Sequence, residues 1–150
     1  MENCHYCGDL NRTGMLFETR YHNVLVADEQ SYLGRCVIAL KRHAESLSDL
    51  TEEEQLDFFK IVKTLEGAIK KSFGADMFNL TSMMNSSYKE DPPNPHVHWH
   101  LRPRYDHDVE FAGVTFSDPD FGKHYDRTRK NQIDELVIKQ IAEEIRKYLG

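Results

Sequence analysis

The sequence predicts an α+β fold: an antiparallel sheet with one long central helix and a second helix at the C-terminal end. Two observations lead there. Short strand-type apolar runs come first, a long helical period follows, strand-type runs return, and a last helical period closes the chain. That order suits an α+β domain with an antiparallel sheet better than a βαβ series. The second observation is the segment Pro95 to Arg104, where His96, His98 and His100 alternate with Val97, Trp99 and Leu101. Successive side chains of a strand point to opposite faces, so three imidazoles share one surface while three apolar groups enter a core.

Taken in order, Met15-Leu16-Phe17-Glu18 and Tyr21 to Ala27 read as two short strands around a Thr19-Arg20 turn. Cys36 to Leu40 is short, apolar, β-branched in its middle and preceded by Gly34, which makes it a buried strand ending at Lys41-Arg42-His43. A helix begins at Thr51, whose hydroxyl can cap exposed amides while Glu54 reaches back as the other half of a capping box. Phe58, Phe59, Val62, Leu65, Ile69 and Phe73 form its apolar stripe, and Gly74 is placed to stop it. Gly67 within this helix costs on the order of 1 kcal/mol relative to alanine, which close packing on the sheet is expected to offset. Met77 to Met84 is a further strand, and Asn85 to Asn94, with two consecutive prolines, is the loop that delivers the histidine strand. The whole reads as a single domain, residues 1–150, with its core in about 1–105, a surface excursion over 106–130 and a C-terminal helix over 131–149. The excursion lacks sustained periodicity, has room for a short strand within 109–116, and could lie over a site.

Composition narrows the function classes. A net charge of −6 without a standout lysine/arginine block gives little support to binding a nucleic-acid scaffold, so small ligands are the expected partners. Neither an apolar signal core nor a run of eighteen or more apolar residues occurs, which argues against secretion and membrane insertion and makes a cytoplasmic location the expectation. Three cysteines, with Cys4 and Cys7 in a C-x-x-C pair, do not describe a disulfide framework; metal binding or redox chemistry is what such a pair offers. Cys36 reads as a small core residue and His5 as a solvent-facing one. The phosphate-cradling patterns G-x-x-x-x-G-K-[ST] and G-x-G-x-x-G are missing, so any nucleotide is held by other means.

Three imidazoles on one face are hard to satisfy as core residues, because each ring nitrogen needs a donor or acceptor. Two chemistries then compete: a metal held by alternate strand histidines, or a histidine nucleophile flanked by imidazoles that bind an anion. Arg102 falls on the same face by alternation, although an exposed arginine beyond the strand end is the simpler expectation.

His96-Val97-His98-Trp99-His100-Leu101 followed by Arg102-Pro103-Arg104 resembles the motif of the histidine-triad (HIT) family of nucleotide hydrolases and transferases. Gly34 to His43, the helix start at Leu50-Thr51 and Asn85, eleven residues before His96, extend the resemblance over most of the chain up to Tyr105. It implies an antiparallel sheet of about five strands packed with helices, a homodimer sharing an extended sheet, and reaction at a nucleotide α-phosphate without an organic cofactor. His98 would be the nucleophile and form a nucleotidyl-histidine intermediate; His100 would contact phosphate oxygens, and Asn85 would hold phosphate or ribose. The base would lie in an apolar pocket near Val24 to Ala27 and the helix face.

Two departures from the family pattern bear on specificity. Better-known branches carry a further histidine where Arg35 stands, and a guanidinium there brings a permanent charge and a fork of donors toward phosphate. They also carry a glycine-rich Gln-Ser segment where Pro92-Pro93-Asn94-Pro95 occurs. Arg102 is a candidate to compensate. The C-x-x-C pair is similar to that of a zinc-bearing branch, which implies a structural zinc on Cys4, Cys7, His43 and His96; two thiolates and two imidazoles close a tetrahedral shell. The expected substrate is a dinucleoside polyphosphate, a nucleoside phosphoramidate or a similar nucleotide conjugate. The alternatives are a metal-dependent hydrolase or oxygenase with His96, His98 and His100 as an open metal site, and a non-catalytic nucleotide-binding module.

Overall fold

A computed structural model describes residues 4–8, 10 and 12–150. Seven strands and two α-helices follow one another as β1 (Met15–Glu18), β2 (His22–Val26), β3 (Cys36–Leu40), α1 (Glu52–Phe73), β4 (Met77–Thr81), β5 (His98–Arg104), β6 (Val109–Phe111), β7 (Val114–Phe116) and α2 (Glu135–Arg146). The expected antiparallel sheet is present, with five strands in the order β1-β2-β3-β5-β4, and β6 and β7 form a separate hairpin.

Register fixes which residues share a face. Ala39 lies opposite His98, Val37 opposite His100, and Ile38 opposite Trp99. On the opposite β2 ladder, Leu25 faces Val37 and Val24 faces Ile38. Val24, Val26, Cys36, Ile38, Trp99 and Leu101 therefore point to one side, where they pack with α1 and α2 into the main core. Trp99 stacks on Phe58 of α1 with ring centroids 4.0 Å apart, adding an offset-aromatic contact to the buried area. The histidine side carries a smaller apolar patch of Ala27, Val37 and Ala39, with Tyr6 and Leu25 packed on it. This corrects the expected base pocket: Val24 and the helix face lie across the sheet from the histidines, and only Leu25 and Ala27 of that segment share their side.

Helix α1 starts and stops where the sequence places it. Thr51 accepts from the Glu54 amide at 3.3 Å, Glu54 accepts from the Thr51 amide at 2.9 Å, and Gly74 adopts the left-handed conformation at φ 73°. Glu54 also accepts two hydrogen bonds from Arg42, at 2.6 and 2.8 Å, so the cap ties the helix to the exit of β3. Gly67 differs from expectation: a Cβ built there meets nothing within 4 Å, so sheet packing does not offset its cost.

Three boundaries shift because of partners elsewhere in the chain. β4 ends at Thr81, because the Ser82 hydroxyl donates to the His98 carbonyl at 2.8 Å in place of continued ladder pairing. Regular β5 begins at His98: the Val97 amide donates to the Ala44 carbonyl, while the Val97 carbonyl still accepts from the Leu40 amide. The last helix begins at Glu135, capped by Asp134, because Asn131 and Gln132 are drawn into pairing with Glu29 and Gln30.

The excursion is ordered and fixed to the sheet through Arg104. All five guanidinium donors of this fully buried side chain are engaged: two with Asp118 at 2.6 and 3.0 Å, one with Asn79, and two with the carbonyls of Asp120 and Lys123. A paired and hydrogen-bonded charge is the form in which an arginine is tolerated in a core. Among the described residues, no helix is long and apolar enough to cross a membrane.

Candidate active site and metal centre

At the start of the histidine face, Cys4 Sγ lies 3.2 Å from His96 Nδ1, Cys7 Sγ 3.4 Å from both His96 Nδ1 and His43 Nδ1, and the two Nδ1 atoms 3.3 Å apart. Zinc bond lengths of about 2.3 Å to sulfur and 2.0–2.1 Å to nitrogen require tetrahedral edges of roughly 3.3–3.8 Å. The group fits that shell closely, and the four ligand atoms all lie within 4.8 Å of one another. His96 Nε2–H donates to the Leu40 carbonyl at 2.7 Å, which leaves the Nδ1 lone pair directed to the cysteines. The three strand histidines do not form a metal cluster among the described residues, so the open-site alternative has no geometric support.

His98 is buried and its tautomer is set by the backbone. Its Nδ1 lies 2.7 Å from the His96 carbonyl, which can only accept; Nδ1 therefore carries the proton and Nε2 the lone pair. Burial, against the opposing pull of that hydrogen bond, holds the imidazole below its ordinary range and favours the neutral ring. Tyr6, carried between the two cysteines, lies over His98 with ring centroids 4.5 Å apart.

His100 has the complementary arrangement. Arg35 Nη2 donates to its Nδ1 at 3.2 Å, so in the neutral ring Nε2–H is a donor. Burial, reinforced by the Arg35 charge, pushes His100 down to about 3. Gly34, at φ 82°, makes the turn that delivers Arg35, and a Cβ there would approach Ile69 to 3.3 Å. Arg35 is held by Glu29 at 2.6 Å, and Glu29 accepts further hydrogen bonds from the Ser31 and Asn131 amides. Burial alone would raise the Glu29 carboxyl, but the Ser31 hydroxyl, these amides and Arg35 bring it below its usual range.

A cavity of about 310 Å³ opens beside His100, lined by Arg35, Asn85 and Arg102 together with Glu29, Tyr32, Tyr125, Arg127, Arg129 and Lys130. The structure thus brings together Arg35, Asn85, His100 and Arg102 at one cavity, and places His98 with His96 and Cys4 at a neighbouring groove; Ser86 lines both. Arg102 is a correction to the simpler expectation: it sits within β5, 7 % exposed, with its guanidinium 4.1 Å from the Tyr125 ring centroid and donating to Thr81 at 2.9 Å. Sequence reasoning missed Glu29, Tyr32, Tyr6 and the basic cluster at 127–130. The signal for the last was Arg127-Thr128-Arg129-Lys130, too short to stand out as a block.

Fold and site define a class: a five-stranded α+β protein with an arginine- and lysine-lined cavity beside strand histidines and a neighbouring Cys2His2 group. The chain belongs to the HIT domain family, whose model matches residues 11–107. It is 26% identical over 145 residues to "Protein hit" of Bacillus subtilis, covering 94% of this chain and 96% of that one. It is 29% identical over 92 residues to the bis(5'-adenosyl)-triphosphatase of Saccharomyces cerevisiae, covering 61% of this chain and less than half, 44%, of the relative. Among solved structures, a hypothetical histidine triad nucleotide-binding protein from Sulfolobus tokodaii superposes with a TM-score of 0.66 at 19% identity, covering 91% of this chain and 83% of that one. A zinc-bound histidine triad family protein from Mycobacterium smegmatis gives 0.58 at 17% identity, over 90% and 82% of the two chains. These two structural likenesses establish the fold.

Proposed function

We propose that the protein is a nucleotide hydrolase or nucleotidyl transferase acting at an α-phosphate through His98. The observation that carries this reading is the neutral His98 imidazole, with Nδ1–H fixed on the His96 carbonyl and Nε2 left as a lone pair at a groove next to the cationic cavity. Nε2 attacks phosphorus, the bond from phosphorus to the leaving-group oxygen breaks, and that oxygen departs with the bonding pair. Water then attacks the same phosphorus, the P–N bond breaks and its electrons return to Nε2. One water is consumed, its hydrogens shared between the nucleoside monophosphate and the released group; another acceptor in place of water gives transfer. Two displacements by a good nucleophile that is also a good leaving group replace one harder displacement. His100 Nε2–H, Arg35, Asn85 and Arg102 stabilise the charge that develops on the phosphate oxygens. The kinship with a bis(5'-adenosyl)-triphosphatase supports the same reaction class.

Rapid quenching with a nucleotide conjugate should give an acid-labile nucleotidyl adduct in wild type, seen by mass spectrometry, and none in His98→Ala. Equal adduct in that variant removes the proposal.

Cys4, Cys7, His43 and His96 would hold a structural zinc, which when bound ties the N-terminal segment to the sheet and supplies no open coordination position. Elemental analysis should find about one zinc per chain, lost in Cys4→Ser/Cys7→Ser. Full occupancy in the double variant excludes this ligand set.

A further inference from the structure

Two adjacent side chains fasten Arg35, one by its backbone and one by its guanidinium. Gln30, fully buried, donates from Nε2 to the carbonyls of Ala27 at 2.7 Å and Arg35 at 2.9 Å and accepts from the Gly34 amide at 2.8 Å. These bonds fix the turn that carries Arg35. Glu29 fixes the side chain, accepting from Arg35 Nη1 at 2.6 Å on Oε2. Glu29 Oε1 accepts from the amides of Ser31 at 2.7 Å and Asn131 at 3.0 Å, and from the Ser31 hydroxyl. Three donors on one oxygen and a guanidinium on the other leave the carboxylate a single orientation. Asn131 lies beyond residues 11–107, the part of the chain that the family model matches.

The fastened guanidinium then sets His100. Arg35 Nη2 donates to His100 Nδ1 at 3.2 Å, and a guanidinium only donates, so the contact requires a ring with its lone pair on Nδ1 and its proton on Nε2. Neither the other tautomer nor the imidazolium offers Nδ1 as an acceptor. His100 Nε2 has no hydrogen-bond partner among the described residues, and the ring lines the cavity. Nε2–H is therefore the donor kept for a ligand. Holding Arg35 in this place needs a counter-charge, because Arg102 lines the same cavity and the two cations repel one another. Arg35 Nε is moreover buried without a partner, so the Glu29 ion pair and the His100 contact are what aim the group.

We propose that Glu29 is a positioning residue: it aims the Arg35 guanidinium, which in turn holds the His100 ring with Nε2–H free to donate to an anion in the cavity. Asn131 links this chain to the segment that follows the excursion. The use of that donor on a phosphate under attack rests on the His98 reading; the order Glu29, Arg35, His100 does not.

Glu29→Gln tests it, because an amide cannot serve both sides. Three donors outweigh one, so the amide oxygen stays with Ser31 and Asn131 and the NH2 group is turned against Arg35. Nitrogen NMR of the histidine rings, with the His100 signals assigned by their loss in His100→Gln, should show one tautomer in wild type, protonated at Nε2. Both tautomers should appear in Glu29→Gln and in Arg35→Lys, whose single nitrogen replaces the fork that spans Glu29 and His100. With a dinucleoside triphosphate as substrate, Glu29→Gln should lower kcat about 10–100-fold and move KM less than about threefold. The double variant should lose no more than Arg35→Lys alone, since both changes break one chain. A melting curve matching wild type establishes folding, and where Glu29→Gln fails it, Arg35→Lys decides. The wild-type tautomer in a folded variant, or additive losses in kcat, overturns the proposal and leaves the His98 reading standing. Mixed tautomers, together with wild-type turnover by His98→Ala, uphold the positioning chain and remove the His98 reading.

Discussion

Arg102 and Arg104 stand two residues apart on one face of β5, both buried, in surroundings of opposite character. Around Arg104 every donor has an acceptor: Asp118, 2 % exposed, takes two, and Asn79 and two carbonyls of the excursion take the rest. Around Arg102 the only hydrogen-bond acceptor among the described residues is the Thr81 hydroxyl, and the Tyr125 face covers the guanidinium. Burial and the nearby Arg35 push Arg102 down to about 10, still protonated at neutral pH. One arginine is sealed into a structural cage; the other presents a charge to a cavity. Burial alone thus does not separate a structural ion from a ligand-binding one, whereas the inventory of acceptors does.

Two substitutions sharpen that contrast, the larger first. Arg104→Leu leaves Asp118 buried without its counter-charge, with the Tyr105 amide still donating to it, and should lower the unfolding free energy by about 3–5 kcal/mol, measured by denaturant titration. A loss under about 1 kcal/mol would show that the cage is not what fixes the excursion. Arg102→Gln removes a charge that no carboxylate contacts among the described residues. It should leave stability within about 1 kcal/mol of wild type while reducing kcat/KM for a nucleotide conjugate by about 10–100-fold. If Arg102→Gln unfolds as readily as Arg104→Leu, the two arginines share one structural role and the contrast fails.

How far the sequence foretells these outcomes varies with the range of the interactions involved. Helix α1 was legible at both ends because its signals are local: Thr51 and Glu54 satisfy one another, and Gly74 needs no distant residue to turn left-handed. The alternation from His96 to Leu101 was legible for the same reason, since strand geometry alone sorts the two faces. The beginning of α2 was not. Asn131 and Gln132 carry no mark that separates them from a helix start, and the strand-like pairing that removes them comes from Glu29 and Gln30, a hundred residues away in the chain.

The candidate site divides along the same line. Cys4, Cys7, His43 and His96 could be proposed because the C-x-x-C pair resembles that of a zinc-bearing branch, and two thiolates with two imidazoles make a tetrahedral donor set. Tyr6 over His98 and Glu29 beneath Arg35 could not be proposed that way, since a tyrosine or glutamate in an irregular segment has no periodicity to aim it.

The sequence by itself determined the order of elements, the caps of α1 and the two faces of the histidine strand, all of which follow from periodicity and chemistry within a few residues; the Cys2His2 set came from the resemblance to a zinc-bearing branch. Tertiary structure alone decided that Arg104 is sealed, that Arg102 is left to a cavity, and that Arg127, Arg129 and Lys130 close over it. Whether a charge finds a counter-charge depends on which distant segment folds against it, and that is settled by packing.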